Sequence, residues 1–334
     1  MVSSVRKPAK TTRKKTAKAR AKGAANRQWL GLDLGGTKIA LAMVSESGKI
    51  KGHRQVTTQI AGGWPVLKTQ LVQLCKELQH DHGRAQAIGI GAAGPLHAPS
   101  GKLLDPTNFG WTAPLTVKVT QELSRSLKLP VYLENDAAAA ALAEGWKGGG
   151  GKNFVVITLG TGVGLGVVCN GKLFRGGRGL HPEGGHVLLR PGDASAPCGC
   201  GNFGCAEAYL SGKNFASRAS RLMGETLTGH DLRLRADQGD KRVLALFAEY
   251  SELLADYLCN LVVLFYPEKV ILTGSFAGAY PHFLPAAESR LRELIQRRLR
   301  TLPLFPEVRV SRLDSKAGVL GSAYIAMNPG YAAD

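Results

Sequence analysis

The sequence predicts an α/β protein built from two related halves that face each other, and three observations carry that expectation. A unit of apolar strand, Gly/Thr turn and second apolar strand occurs twice, at residues 29–44 and 154–169. Between and after these units, apolar residues recur at helical spacing. The 334 residues leave room for two domains, and 44% apolar content allows a sizeable core.

Taken in order, Trp29 to Leu34 reads as a buried strand ending at Gly35-Gly36. Ile39 to Val44 and Lys49 to Thr58 continue it as an antiparallel meander. Trp64, Leu67, Leu71, Leu74 and Leu78 share one helical face, which predicts an amphipathic helix over 64–80. Ala87 to Ile90 is a short strand running into a glycine-rich loop, Gly91 to Gly94. Val119 to Leu127 reads as a helix. Val131 to Leu133 reads as a strand stopping at Glu134-Asn135-Asp136, and Ala137 to Glu144 as an alanine-rich helix.

The pattern then restarts: strand Phe154 to Leu159, turn Gly160-Thr161-Gly162, strand Gly164 to Val168. Long helices follow at Val243 to Phe265 and Pro281 to Arg300, separated by a strand, Val270 to Thr273. Ala317 to Met327 is a final helix that returns to the first half, and Gly148 to Gly151 is a flexible stretch. The expected organisation is a basic tail (1–28), an N-terminal α/β domain (29–135, joined by the last helix, about 315–328), and a larger α/β domain (136–314).

The net charge of +18 is concentrated at one end. Ten Lys and Arg residues, among them Lys14, Lys15 and Arg20, fall in the first 28 positions, where there is no Asp or Glu. A segment so basic, with no apolar periodicity, is expected to be disordered. It reads as a solubilising tail, a weak polyanion-binding arm that loses grip as salt rises, or an organelle transit peptide. No apolar run approaches the ~20 residues of a membrane span, and no apolar segment follows the basic start as in a secretory signal. A cytoplasmic protein with no membrane partner is expected.

Three of the six cysteines cluster within eight residues, which in a reducing compartment indicates a metal site and not a disulfide framework. His186, Cys198, Cys200 and Cys205 offer one imidazole and three thiolates, the donor set of tetrahedral structural zinc. The alternative is a set of free reduced thiols. Catalytic zinc is disfavoured, because four protein ligands leave no open position.

Asp33-Leu34-Gly35-Gly36-Thr37-Lys38 joins two strands, so it is neither a P-loop nor a dinucleotide fingerprint. Adjacent glycines let backbone N–H groups converge on an anion, and Thr37 adds a hydroxyl. Asp33 is placed to hold Mg²⁺ through water. Gly160, Thr161 and Gly162 repeat the chemistry in the second half, so two such turns read as a nucleotide clamp. Asp136 sits between a strand end and a helix, where it serves either as a catalytic base or as the helix N-cap. Glu134 and Asn135 are neighbouring loop polars.

Assembled in this order, the motifs resemble those of the ROK family (repressors, open reading frames and kinases) over about residues 29–328. Asp33 to Lys38 resembles its first phosphate motif, and Glu183-Gly184-Gly185-His186 its E-x-G-H motif. Cys198 to Glu207, CGCGNFGCAE, fits its C-x-C-G-x-x-G-C-x-E signature in full. The resemblance implies a two-domain actin/hexokinase-like, ribonuclease H-like fold with the active site in the interdomain cleft. It implies an ATP-dependent sugar kinase with Asp136 as general base and Asn108, Asn135, Glu183, His186 and Glu207 contacting sugar hydroxyls. Thr273 and Gly274 would lie near the adenosine, although Leu272-Thr273-Gly274-Ser275 departs from the family's richer glycine pair. One structural zinc, Mg²⁺ with ATP, and a homodimer are implied as well.

Repressor members carry an N-terminal helix-turn-helix, for which 28 residues are too few, so the kinase branch is expected. Glucose, phosphorylated at its 6-hydroxyl, is the first choice of sugar. Tyr209-Leu210-Ser211-Gly212 resembles the family's N-acetylglucosamine kinases and His181-Pro182-Glu183 its fructokinases, so those sugars and N-acetylmannosamine are the alternatives. A polyphosphate-using kinase and a sugar-sensing regulator without catalysis are the remaining readings.

Overall fold

A computed structural model describes residues 27–106, 109–111, 116–302 and 305–332. The charged tail therefore lies outside the described residues, apart from its last two positions, and so does Asn108. Two five-stranded mixed sheets form the frame. The first contains β1 (Gln28–Leu34), β2 (Lys38–Ser45), β3 (Ile50–Thr57), β4 (Ile88–Ala92) and β8 (Val131–Asn135), in the order β3-β2-β1-β4-β8. The second contains β9 (Phe154–Leu159), β10 (Val163–Cys169), β11 (Lys172–Leu173), β12 (Lys269–Thr273) and β13 (Glu307–Val310), in the order β11-β10-β9-β12-β13. The two orders are the same: an antiparallel meander of three strands, then two strands parallel to its first member. The duplicated strand–turn–strand unit seen in the sequence is the start of each sheet. A small third sheet, β5 (Leu96–His97), β6 (Lys102–Leu104) and β7 (Thr116–Val117), sits beside the first.

Strand alternation divides the apolar residues into layers, because successive side chains point to opposite faces. Leu30, Leu32 and Leu34 turn outward to meet α1 (Gly63–His82), which contributes Leu67, Leu71 and Leu78, and α2 (Val119–Leu127). In the second sheet Val155, Ile157 and Leu159 turn outward against α7 (Lys241–Phe265) and α8 (Leu284–Leu299). The helix expected to begin at Pro281 starts at Leu284 instead, after a 3₁₀ stretch over Ser275–His282. Three shorter helices had no counterpart in the sequence reading: α4 (Ala206–Leu210), α5 (Gly212–Met223) and α6 (Gly229–Asp237).

Two helices fill the space between the sheets. The alanine-rich α3 (Asp136–Ala143) follows the first sheet but packs on β9 and β10 of the second. The last helix, α9 (Ala317–Met327), follows the second sheet but packs on β1 and β4 of the first. Close approach is possible because the facing strand positions are glycine. A Cβ at Gly89 would lie 1.7 Å from Ser322 O, and one at Gly166 would lie 2.4 Å from Ala137 O. Among the described residues, no helix is long and apolar enough to cross a membrane.

Candidate active site

Strands β1, β4 and β8 run parallel and end at one edge, where Leu34, Ala92 and Asn135 stand side by side. Asp33, one residue earlier, points to the face opposite Leu32 and Leu34, toward α9. A Cβ at Gly318 would lie 2.3 Å from its Oδ2. Burial, and then the charge of Asp136, push the Asp33 carboxyl up to about 7.

The two candidate roles of Asp136 separate here. Asn135, not Asp136, is the N-cap of α3: its backbone is extended (φ −65, ψ 146) and its Oδ1 accepts from Ala137 N and Ala138 N at 3.0 and 3.1 Å. Asp136 is the first helical residue. Its Oδ1 accepts from Ala137 N at 2.8 Å, and the side chain is half-buried. Burial raises its pKa, the Ala137 N–H and His181 partly offset this, and the charge of Glu183 adds to it. Glu134 is occupied otherwise, in a buried ion pair with Arg175.

The segment 174–186 brings the second half to this strand end. His181 is buried, and its Nε2 lies 2.9 Å from Glu183 Oε1. Glu183 Oε2 lies 4.0 Å from His186 Nε2. Burial pushes the Glu183 carboxyl up, but the hydrogen bond from His181 and the charges of His181 and His186 outweigh it and hold it below its usual value. Gly94, at the end of the loop after β4, is adjacent to both: a Cβ there would lie 3.3 Å from Glu183 Oε1 and 3.4 Å from His181 Nε2.

The two glycine turns occupy equivalent places in the two sheets. In the first, Gly35 N donates to Lys38 O at 3.0 Å and Thr58 Oγ1 donates to Gly35 O at 2.8 Å, leaving Thr37 and Lys38 exposed. In the second, Gly160 N donates to Gly162 O at 3.0 Å, and Thr161 is exposed. Thr273 pairs with Thr158 in the parallel ladder, so Gly274 lies next to this second turn. A Cβ at Gly274 would lie 2.4 Å from Leu159 O.

The ligand atoms of His186, Cys198, Cys200 and Cys205 all lie within 4.8 Å of one another. Cys200 and Cys205 sulfurs are 3.7 Å apart, and Cys198 Sγ is 3.5 Å from His186 Nδ1. Sulfurs bound ~2.3 Å from a tetrahedral zinc stand about 3.8 Å apart, so the set fits that ion. The spacing is too long for a disulfide, and all six cysteines are free thiols. Glu207, at the start of α4, connects this cluster to the second turn. Its Oε1 is 3.6 Å from Cys198 Sγ, and its Oε2 accepts from Val163 N at 2.9 Å.

The structure thus gathers Asp33, Asn135, Asp136, Glu183, His186 and Glu207 around the ends of β1, β8 and the β9–β10 turn. Arg175 was not singled out in the sequence, and His181 was read only as part of a short string. The string Tyr209-Leu210-Ser211-Gly212 spans the end of α4 and the start of α5. Tyr209 is buried and donates to Asp193, and Ser211 caps α5.

Comparison with known proteins agrees with this arrangement. The model of the ROK family matches residues 29–328. The glucokinase of Halalkalibacterium halodurans is 30% identical over 321 residues, covering 90% of this chain and 95% of that protein. The N-acetyl-D-glucosamine kinase of Escherichia coli O127:H6 is also 30% identical, covering 89% of this chain and 98% of that protein. A ROK family glucokinase from Streptomyces griseus, crystallised with glucose and AMPPNP, superposes with a TM-score of 0.75 at 29% identity, covering 90% of this chain and 99% of that one.

Proposed function

The chain belongs to the ROK family and is an ATP-dependent sugar kinase, and from that premise we propose that it phosphorylates glucose at the 6-hydroxyl with Asp136 as general base. The observation that carries this reading is the state of Asp136. Asn135 does the capping, so the Asp136 carboxyl is left at the strand edge, its pKa raised by burial, beside His181 and Glu183. A carboxylate in that position takes the hydroxyl proton late, as the new O–P bond forms and the bond to ADP breaks. The rest of the rate comes from positioning and charge neutralisation.

The remaining roles follow from which atoms are free. Asn135 spends its amide oxygen on α3, leaving its NH₂ for a sugar hydroxyl. Glu207 spends Oε2 on Val163 N, and Glu183 is oriented by His181. With Asn108 and His186 these complete the sugar contacts. Gly35, Gly36, Thr37 and Lys38, with Gly160, Thr161 and Gly162, would hold the phosphates, and Thr273 and Gly274 would lie by the adenosine. Asp33 would hold a magnesium ion through water, which supplies charge neutralisation at the phosphates. Cys198, Cys200, Cys205 and His186 Nδ1 would hold a zinc ion that braces the segment 186–205. The cleft lies between lobes formed by 29–135 with about 315–328 and by 136–314, and the assembly is a homodimer.

Glucose is favoured by relatives named glucokinase from several bacteria, at 30–32% identity over about nine-tenths of this chain. The N-acetylglucosamine kinases of Escherichia coli, at the same identity, support the second reading. A coupled assay with ATP across hexoses and N-acetylhexosamines separates them. Glucose is expected to have the highest kcat/KM. A higher value for N-acetylglucosamine transfers the assignment, and phosphorylation of no sugar returns the chain to a sensing role.

A further inference from the structure

Arg175 lies on the segment that leaves β11 and ends at Glu183. Its side chain is 5% exposed and pairs with Glu134 on β8, which is 1% exposed. Among the described residues, no other ion pair has both side chains so deeply buried; the nearest, Arg309 with Glu144, leaves the arginine 13% exposed. A buried pair is a poor source of stability, because desolvating two charges costs about as much as their attraction returns. Its place in the fold gives it a different use.

Glu134 makes a second bond: its Oε1 accepts from Asn135 N at 2.8 Å. Asn135 caps α3, and Asp136 begins it. On the other side, Arg175 Nη1 donates to Gly179 O at 3.2 Å, two residues before His181 and four before Glu183. Arg175 Nε is buried without a partner. The guanidinium is therefore placed by its two neighbours, at the expense of a third bond it could make. The Arg175 side chain thus touches the backbone leading to the sugar contact directly, and reaches the backbone leading to the base through the Glu134 carboxylate.

We infer that Arg175 is a positioning residue for phosphoryl transfer, fixing the segment that carries Glu183 against the strand end that carries Asp136. The inference rests on the reading of Asp136 as base and Glu183 as sugar contact. A guanidinium can hold Glu134 and Gly179 O at once because its nitrogens form a rigid fork, whereas a lysine ammonium is a point charge on a flexible stem. Reach without the fork should leave the segment attached but misaligned.

The test uses Arg175→Lys, Arg175→Met, Glu134→Gln and the double variant Glu134→Gln/Arg175→Met, with Asp136→Asn alongside. Each is measured for kcat, KM for ATP and for the best sugar of the panel, and thermal midpoint. Arg175→Lys is expected to lose at least about 10-fold in kcat/KM for sugar, since ångström-scale misplacement can cost ~10²-fold. Its KM for ATP should stay within about two-fold, because the nucleotide turns are not attached to this arm. Arg175→Met strands a buried carboxylate and should lower the midpoint, and the double variant should recover it. Turnover of the double variant should remain at least about 10-fold down, which a merely structural pair would not require. If kcat returns together with the midpoint, or if Arg175→Lys matches the wild type while Asp136→Asn is inactive, Arg175 is not a positioning residue. Near-normal turnover by Asp136→Asn instead overturns the assignment of the base, and the inference with it.

Discussion

Asp33 and Asp136 face each other across the ends of β1 and β8, and burial, with the charge of Asp136 second, pushes the Asp33 carboxyl up to about 7. A cation at Asp33 relieves both costs. Magnesium dependence should therefore be steepest in acid. Below pH ~7 a proton competes for Asp33, so the apparent KM for Mg²⁺ should rise as pH falls from 8 to 6. Asp136→Asn should weaken that competition by lowering the Asp33 pKa, read by magnesium titration of nucleotide-analogue binding. A pH-independent magnesium requirement would remove Asp33 from the metal's surroundings.

The same group makes a stability prediction. Its folded pKa (about 7) lies above its ordinary value (3.8), so between these the folded chain holds a proton that the unfolded chain has lost. That favours folding at low pH, and the advantage is lost as pH rises from about 4 to 7. Without magnesium, Asp33→Asn should raise the thermal midpoint at pH 8 and change it little at pH 4, while abolishing activity. Relief of each kcal/mol is worth about 1–2 °C in a chain of this size. Calorimetry at the two pH values decides it.

Asp136→Asn should lower kcat by at least about 10²-fold, the lower range for loss of a general base. Sugar binding should survive, since asparagine still hydrogen-bonds a hydroxyl. In the wild type, the acid limb of kcat/KM should lie above the ordinary aspartate range, because burial raises this carboxyl. Calorimetric titration of sugar, together with the pH–rate profile, checks both.

Purified protein should contain about one zinc per chain, as a four-ligand site requires. Chelation, or Cys200→Ser, should weaken sugar binding more than binding of a non-hydrolysable ATP analogue. The reason is positional: Glu183 and Glu207 bracket the segment 186–205 that the ligands span. Nucleotide should not escape entirely, because Glu207 joins Cys198 to Val163 N beside the second turn. Zinc-free, folded protein that binds sugar at full strength would refute this coupling.

Gly89→Ala should destabilise by about 1–3 kcal/mol, the usual cost of overpacking, since its Cβ would fall 1.7 Å from Ser322 O. Denaturant unfolding measures it, and an unchanged midpoint would mean that α9 does not rest on β4 as described.

What the sequence disclosed was local. The repeated strand–turn–strand unit, the face of α1 and the spacing of His186, Cys198, Cys200 and Cys205 each lie within a short window, and each formed as expected. Asn135 and Asp136 are equally good caps by composition, so only the backbone angles could show which of them caps α3. The helix α6 was hidden because it buries only Leu232 and Ala236, too few to show a period. α5 buries Gly212, Phe215, Ala216 and Ala219, a face made mostly of small residues. Arg175 had no local signal at all. Its meaning comes from Glu134, 41 residues earlier, and from a crossing of the two halves that no window contains.

The exchange of α3 and α9 between the sheets also sets an order of events at the ribosome. By residue 135 the first sheet has all five strands, but the part of its glycine-lined face at Gly31 and Gly89 stays bare until residues 317–327 have been made. The second sheet already has α3 waiting and is complete at Val310. Because domains fold as units while the chain emerges from its N-terminus, the half that is begun first is finished last. Nearly two hundred residues of synthesis separate the first sheet from its cover, and throughout that interval a face built for backbone contact stands open.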